Sequence, residues 1–156
     1  MKAKSLYFVA ILSLLLIACD TVDCTLNNSV YCYLSFYNSS GEKVAISDTL
    51  SISAYGTKKS IYNRGVKKSD VAIPMSYYNA EDTLTFTVTS NESTIEAEIV
   101  IGKTNTQFFE SPDCPVNMFH NITSAYVFSG QFIDSVVVVK PTVNFQQDEN
   151  IRIYLH

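Results

Sequence analysis

Residues 84–101 read Leu-Thr-Phe-Thr-Val-Thr-Ser-Asn-Glu-Ser-Thr-Ile-Glu-Ala-Glu-Ile-Val-Ile, and this stretch decides the fold class. Apolar residues occupy every second position in residues 84–88 and again from residue 95 onward. A period of two is typical of a β-strand with one buried face. Ser90, Asn91 and Glu92 lie between the two runs, and Ser and Asn favour a chain reversal. The stretch therefore predicts a β-hairpin.

The same alternation recurs along most of the chain, and no window has a helical period. Further strands are predicted at residues 30–36, 50–54, 71–75 and 151–155. Turns rich in Asn and Gly are predicted at residues 38–41 and 63–65. The four valines at residues 136–139 are apolar on both faces, so we expect them in the middle of a sheet, ending at Pro141. The pattern predicts an all-β fold, a single antiparallel β-sandwich, with an immunoglobulin-like arrangement as first choice and a small barrel as second.

The first 19 residues have the features of a bacterial secretion signal. Lys2 and Lys4 precede a continuous apolar stretch, which ends in Leu-Ile-Ala followed by Cys19. This stretch is shorter than the roughly 20 apolar residues that a spanning helix needs, so we expect it to be cleaved. A cysteine directly after the small residue resembles the lipobox of bacterial lipoproteins. The predicted organisation is a signal peptide at 1–18, an acylated tether at 19–28 and a β-sandwich domain at 29–156.

The composition excludes some partners. Cleavage before Cys19 removes Lys2 and Lys4 and leaves 9 basic and 15 acidic residues, a net charge of −6. Such an acidic domain lacks the basic surface that nucleic acid or an anionic membrane attracts. We therefore expect no nucleic-acid partner, and we expect membrane attachment to come from the lipid alone.

Three cysteines remain once Cys19 carries lipid. Cys32 lies on the apolar face of the first predicted strand, which suits a buried thiol. Cys24 and Cys114 lie in polar, irregular segments that can adopt the geometry of a disulfide. The first prediction is a Cys24–Cys114 disulfide, worth about 4 kcal/mol in the chain-entropy model. A Cys32–Cys114 disulfide is the alternative.

The chain offers few candidate catalytic residues. His120 and His156 are the only histidines; His156 is the last residue, and His120 lies in a strand-like run where a structural role is expected. Glu96 and Glu98 share one strand face, which is more typical of a solvated face than of a catalytic pair. No second Cys or His lies at metal-ligand spacing from His120, and phosphate loops and dinucleotide motifs are absent. The chain is therefore interpreted as a non-enzyme with no cofactor and no metal.

Several features together resemble the small uncharacterised lipoproteins of Bacteroides and its relatives. They are the lipobox, the early strand ending in Phe36-Tyr37, the Asp48-Thr49-Leu50 strand opening, Asp113-Cys114-Pro115, and the late strand at residues 133–136. The resemblance implies a β-rich fold and an outer-membrane location, and it brings no known activity. Acidic residues after the acylated cysteine resemble a surface-export signal, but Asp20 and Asp23 are separated here. The periplasmic and cell-surface faces of the membrane therefore both stay open.

A repeated tripeptide, Asp followed by a hydroxyl residue and an apolar residue, resembles the O-glycan acceptor motif of exported Bacteroides proteins. The hydroxyl residues of the four copies are Thr21, Thr49, Thr83 and Ser135. An alternative explains the pattern without a glycan, because Asp favours the turn before a strand and β-branched Thr favours the strand itself. Both interpretations stay open.

Two non-catalytic functions fit the sequence. In the first, the protein is an accessory or structural subunit that docks on an outer-membrane partner, such as a β-barrel protein. Tyr31, Tyr33 and Tyr37 project opposite the core face of the first strand, and tyrosine suits a partly wet interface. In the second, the domain binds glycans or other ligands; the chain has no Trp, and Tyr77-Tyr78 is the candidate aromatic pair.

Overall fold

The computed structural model describes residues 24, 30–57 and 59–156, and these residues form ten β-strands and no helix. The strands are β1 (Cys32–Tyr37), β2 (Thr49–Ala54), β3 (Ser60–Gly65), β4 (Asp70–Ile73), β5 (Glu81–Thr89), β6 (Thr94–Phe108), β7 (Asn117–Gly130), β8 (Ile133–Val138), β9 (Thr142–Val143) and β10 (Glu149–Leu155). The all-β prediction is confirmed. The predicted signal peptide, Cys19 and Thr21 lie outside the described residues.

The strands form two sheets that pack as a sandwich. The four-stranded sheet has the order β4-β1-β10-β8, and the six-stranded sheet has the order β3-β2-β5-β6-β7-β9. Every pair is antiparallel except β1 with β10, which is parallel and departs from the expected purely antiparallel arrangement. Three consecutive strands, β5, β6 and β7, lie side by side in one sheet. The sandwich prediction is confirmed, but the two strand orders differ from the A-B-E-D and C-F-G orders of an immunoglobulin-like sandwich.

Residues 84–101 form most of the β5–β6 hairpin, and the turn at residues 90–93 closes through a hydrogen bond from Ser90 N to Ser93 O. Its apolar residues supply one wall of the core, where Phe86 meets Phe36 of the opposite sheet edge to face, with ring centroids 6.4 Å apart. The hairpin prediction is therefore confirmed. Ile95 is an exception, because we expected it to be buried. It belongs to the second cross-strand pair after the turn, with Val88, and its side chain is exposed.

The central strand is β6, because it is hydrogen-bonded on both sides and buried on both faces at residues 99–103. The prediction that residues 136–139 occupy the middle of a sheet is wrong. Val136, Val137 and Val138 form the second half of β8, which is an edge strand paired only with β10, and Val139 follows it. Val136 and Val138 pack against the core, whereas Val137 and Val139 are exposed. Alternate valines of this run therefore project to the core and to the solvent.

The turn prediction holds at residues 38–41 and fails at 63–65. Asn38 Oδ1 accepts hydrogen bonds from the backbone N–H groups of Ser40 and Glu42, which stabilises the first turn. Residues 63–65 instead belong to β3, which pairs with β2. Arg64 has a φ of 52°, and the register of the pair shifts nearby. An irregularity in the strand, without a chain reversal, accommodates this left-handed residue.

A disulfide joins Cys24 to Cys114, the first of the two predicted pairings, with Cα atoms 5.8 Å apart. Cys32 is free and fully buried in the core. Burial, together with the charge of Asp82, raises the pKa of the Cys32 thiol to about 12. A thiol with this pKa has almost no reactive thiolate at neutral pH.

We expect no thiol of the native chain beginning at residue 19, with Cys19→Ser, to react with iodoacetamide. Unfolding the same chain without a reductant should expose one thiol, and peptide mapping should place the label on Cys32. Reduction before labelling provides the control and should add Cys24 and Cys114. Label on Cys24 in the unreduced chain, with Cys32 protected, would contradict the observed pairing.

Candidate docking face and buried polar network

The outer face of the four-stranded sheet carries a compact group of aromatic and charged side chains. In the parallel pair, Tyr37 of β1 lies opposite Tyr154 of β10, and Ser35 lies opposite Arg152. Alternate residues of a strand project from one face, so Tyr37, Arg152 and Tyr154 lie on the side away from the core. We call Tyr37, Glu149, Arg152 and Tyr154 the tyrosine–arginine cluster.

The members of the cluster hold one another in place. The rings of Tyr37 and Tyr154 have centroids 5.7 Å apart, and the Arg152 guanidinium lies 5.0 Å from the Tyr37 ring centroid. Tyr37 Oη donates a hydrogen bond of 2.7 Å to Glu149 Oε1, and Arg152 Nε donates one of 2.9 Å to Glu149 Oε2. Both carboxylate oxygens are therefore used, and the two donors are fixed in position.

The electrostatics of the cluster follow from these bonds. Burial raises the pKa of Glu149, but hydrogen bonds from Tyr37, Arg152 and Ser35 outweigh it, so the pKa lies below its ordinary value. The bond to Glu149 in turn raises the pKa of the Tyr37 hydroxyl. At neutral pH the cluster therefore presents a neutral Tyr37 hydroxyl beside the paired Arg152 and Glu149.

The structure brings together two of the three tyrosines predicted for an interface. Tyr33 and Tyr37 project from this outer face, while Tyr31 lies in the segment just before β1. All three side chains are half-buried. Sequence reasoning did not identify Glu149, Arg152 and Tyr154, because only the parallel pairing of β1 with β10 places them beside Tyr37.

A second aromatic surface lies on the outer face of the six-stranded sheet. Tyr55, Tyr126 and Phe128 are exposed and surround buried Val100, forming a shallow groove of about 240 Å³ with Glu81 and Thr83 at its rim. We call this surface the aromatic groove. The predicted pair Tyr77-Tyr78 is also exposed, but its rings are inclined by 71° and do not form one flat surface. The sequence search missed the groove because its residues come from separate strands and a turn.

A buried ion pair joins β5 to β6, and the same lysine is hydrogen-bonded to the segment between β4 and β5. Lys103 Nζ lies 3.3 Å from Asp82 Oδ2 and donates hydrogen bonds to Ser76 Oγ at 3.1 Å and to the Asn79 carbonyl at 2.5 Å. These three acceptors match the three N–H bonds of an ammonium group. Lys103 therefore has a structural role, and all three N–H groups of its ammonium are engaged by the protein itself.

His120 extends this network and is buried. The Asn105 amide donates to the Asn79 carbonyl, so its Oδ1 accepts from His120 Nδ1, 2.8 Å away. A neutral ring protonated at Nδ1 leaves a lone pair on Nε2, which has no hydrogen-bond partner among the described residues. Burial, reinforced by the charge of Lys103 and opposed by Asp82, lowers the pKa of His120 to about 4. His120 is therefore neutral at physiological pH.

The remaining sequence candidates have ordinary surroundings. Glu96 accepts a hydrogen bond from Thr87, and Glu98 accepts bonds from Thr85 and Ser129, all on the outer face of the six-stranded sheet. Among the described hydroxyl residues of the repeated tripeptide, Thr49 opens β2 and Thr83 and Ser135 lie within β5 and β8, and all three are half-buried. Asp82 is engaged by Lys103, which gives that copy a structural role. O-glycosylation of these residues stays a prediction.

We expect the free energy of unfolding to decrease as the pH is lowered from about 6.5 to about 4, because of His120. Its native pKa of about 4 lies below the ordinary 6.5, so protons bind the unfolded chain preferentially in this range. A shift of this size corresponds to roughly 3 kcal/mol. His120→Asn retains a donor toward Asn105 but cannot titrate.

Urea unfolding at pH 7 and pH 4.5 measures this effect. The free energy of unfolding of wild type should fall more between the two pH values than that of His120→Asn, whatever the stability of the variant at pH 7. An equal fall in both proteins would show that His120 is not the group responsible.

No helix in the described part of the chain is long and apolar enough to span a membrane, and no group of three or more His, Cys, Asp and Glu residues there could hold a metal ion.

Comparisons with known proteins identify the family. No curated protein and no solved structure matches the sequence. One family model, described as a family of unknown function, matches residues 49–155, from the start of β2 to the end of β10. The chain therefore belongs to the DUF6452 family.

Proposed function

We propose that the protein is a non-catalytic lipoprotein of the outer membrane, anchored at Cys19, that docks on an envelope protein through its tyrosine–arginine cluster. The sequence features at residues 1–19 support the anchor. The single observation that carries the docking role is the cluster itself, four mutually fixed side chains on the outer face of a sheet.

The chemistry of the cluster suits a protein interface. Tyr and Arg are enriched among the residues that contribute most to binding, and the cluster places two tyrosines beside one arginine. Ring contacts and hydrogen bonds already fix these side chains, so binding costs little additional side-chain entropy. The Arg152 guanidinium lies over the Tyr37 ring, so a partner would meet aromatic faces and a cation together. A surface with apolar and carboxylate groups complements this face.

Replacing Cys19 tests the anchor. We expect Cys19→Ala to abolish lipid addition and to move the protein from the membrane fraction to the soluble fraction, because the lipid on Cys19 is the proposed anchor. Intact mass of the N-terminal peptide and fractionation of whole cells measure the two effects. Membrane retention with an unchanged N-terminal mass would contradict the proposal.

Site-specific photo-crosslinking tests the docking face. A photoreactive phenylalanine analogue at Tyr33, beside the cluster, should give a discrete protein adduct in living cells, whereas the same analogue at Tyr126, on the opposite sheet, should not. Hot-spot residues cost about 2 kcal/mol or more when truncated, so Tyr37→Ser combined with Arg152→Ala should reduce the Tyr33 adduct about tenfold or more.

The variants separate a docking role from a core role. The thermal midpoint of the double variant should fall by a few degrees at most, because the variant loses the contacts of the cluster but leaves the buried core unchanged. A large fall in the midpoint without loss of a specific adduct would show that the cluster only stabilises the fold. Adducts from Tyr126 in place of Tyr33 would move the interface to the six-stranded sheet.

The aromatic groove favours a second candidate function, binding of glycans. Tyr55, Tyr126 and Phe128 offer ring surfaces on which a sugar can stack, and Glu81 and Thr83 offer polar groups at the rim. Titration with oligosaccharides of the envelope would distinguish the functions, since Tyr126→Ala should abolish glycan binding and leave the Tyr33 adduct unchanged.

A further inference from the structure

The loop between β6 and β7, residues 109–116, ends the longest hairpin of the described chain. Phe108 and Asn117 form its last cross-strand pair, so Phe109 and Val116 are the first residues beyond it. Both side chains are exposed, and the exposed fraction of Phe109 is 58%. Pro112 and Pro115 limit the conformations of the loop between them. Two exposed apolar residues therefore follow the last cross-strand pair of the hairpin, one after β6 and one before β7.

An aromatic cluster supports this end of the hairpin. The rings of Phe108 and Phe119 stack with centroids 4.6 Å apart, and Phe145 meets both edge to face at 5.7 and 5.0 Å. The three rings pack the end of β6 and the start of β7 against the segment after β9. Packed aromatic rings therefore support the two strand ends that carry Phe109 and Val116.

The disulfide places this loop near the proposed lipid. Cys114 belongs to the loop and is bonded to Cys24, with Cα atoms 5.8 Å apart. Only five residue steps separate Cys24 from Cys19, and five steps of extended chain span at most roughly 18 Å. The loop therefore stays within a short distance of an acylated Cys19. The other end of β7 lies 13 residues from Asn117, which is roughly 43 Å along a strand.

We infer that residues 109–116 contact the headgroup region of the bilayer, with Phe109 and Val116 inserted at the interface. This inference rests on the proposed anchor at Cys19. Glu110 and Asp113 give the loop two carboxyl groups, and it has no basic residue. The contact therefore suits zwitterionic lipids, such as phosphatidylethanolamine and phosphatidylcholine, and is weakened by anionic lipids. Phe109 and Val116 would bury apolar surface at this depth, and the headgroup region keeps the two carboxyl groups in contact with water.

Tryptophan fluorescence tests the contact, because the chain has no Trp of its own. Phe109→Trp is the probe, and Phe128→Trp is the matched control, since Phe128 is 61% exposed and lies at the far end of β7. Each full-length variant is acylated in bacteria, checked by intact mass and reconstituted into phosphatidylethanolamine–phosphatidylcholine vesicles. Thermal melting first shows that both variants are folded.

We expect the emission of Phe109→Trp to shift to shorter wavelength and to be quenched by brominated acyl chains severalfold more than that of Phe128→Trp. Adding anionic lipid should reduce the quenching. Equal quenching of the two acylated variants, or none, would overturn the inference and leave the anchor intact. A shift of Phe109→Trp only in native envelopes would assign the loop to a protein partner and also overturn it. A chain that carries no lipid would overturn both the anchor and this inference.

Discussion

The Cys24–Cys114 disulfide is the constraint on which the orientation of this molecule depends. It joins residues 90 positions apart, and closing a loop of this length stabilises the folded state by about 4–5 kcal/mol in the chain-entropy model. It also ties the segment before β1 to the loop at the end of the β6–β7 hairpin. Without the disulfide, the tether would run from Cys19 to the folded domain at Val30, eleven residues further along the chain. With the disulfide, the tether ends at Cys24, only five residues after Cys19. The bond therefore determines which end of the sandwich lies nearest the proposed anchor.

The parallel pairing of β1 with β10 has a comparable effect on the candidate docking face. It places Tyr37 opposite Tyr154, although 117 positions separate them, and it brings Glu149 within hydrogen-bonding distance of Tyr37. The face depends on the fold as a whole, because neither strand carries the complete cluster. This sheet also lacks the long hairpin that bears Cys114. In the proposed arrangement, one end of the domain faces the membrane and the outer face of the other sheet is left for a partner.

Local patterns predicted the local structure, and long-range pairing set the limits of that prediction. Alternation in residues 84–101 was sufficient for the β5–β6 hairpin, and the polar surroundings of Cys24 and Cys114 were sufficient to rank their disulfide first. The valines at 136–139 were misplaced because a two-sided apolar strand can also lie at an edge, where loops and neighbouring strands cover only part of it. The buried Lys103 was missed, since its partners Ser76, Asn79 and Asp82 come from another part of the chain. The tyrosine–arginine cluster required the parallel pair, which no periodicity reveals.

The orientation imposed by the disulfide can be measured by energy transfer from a dye to labelled lipid headgroups. Gln131→Cys carries the dye beside the far end of β7, and the native Cys32 is too deeply buried to compete for it. Acylated protein with the bridge intact should hold this dye far from the bilayer and give weak transfer. Cys24→Ser combined with Cys114→Ser should lengthen the tether, allow other orientations and increase the transfer. Equal transfer with and without the bridge, in proteins that are equally folded, would contradict the account.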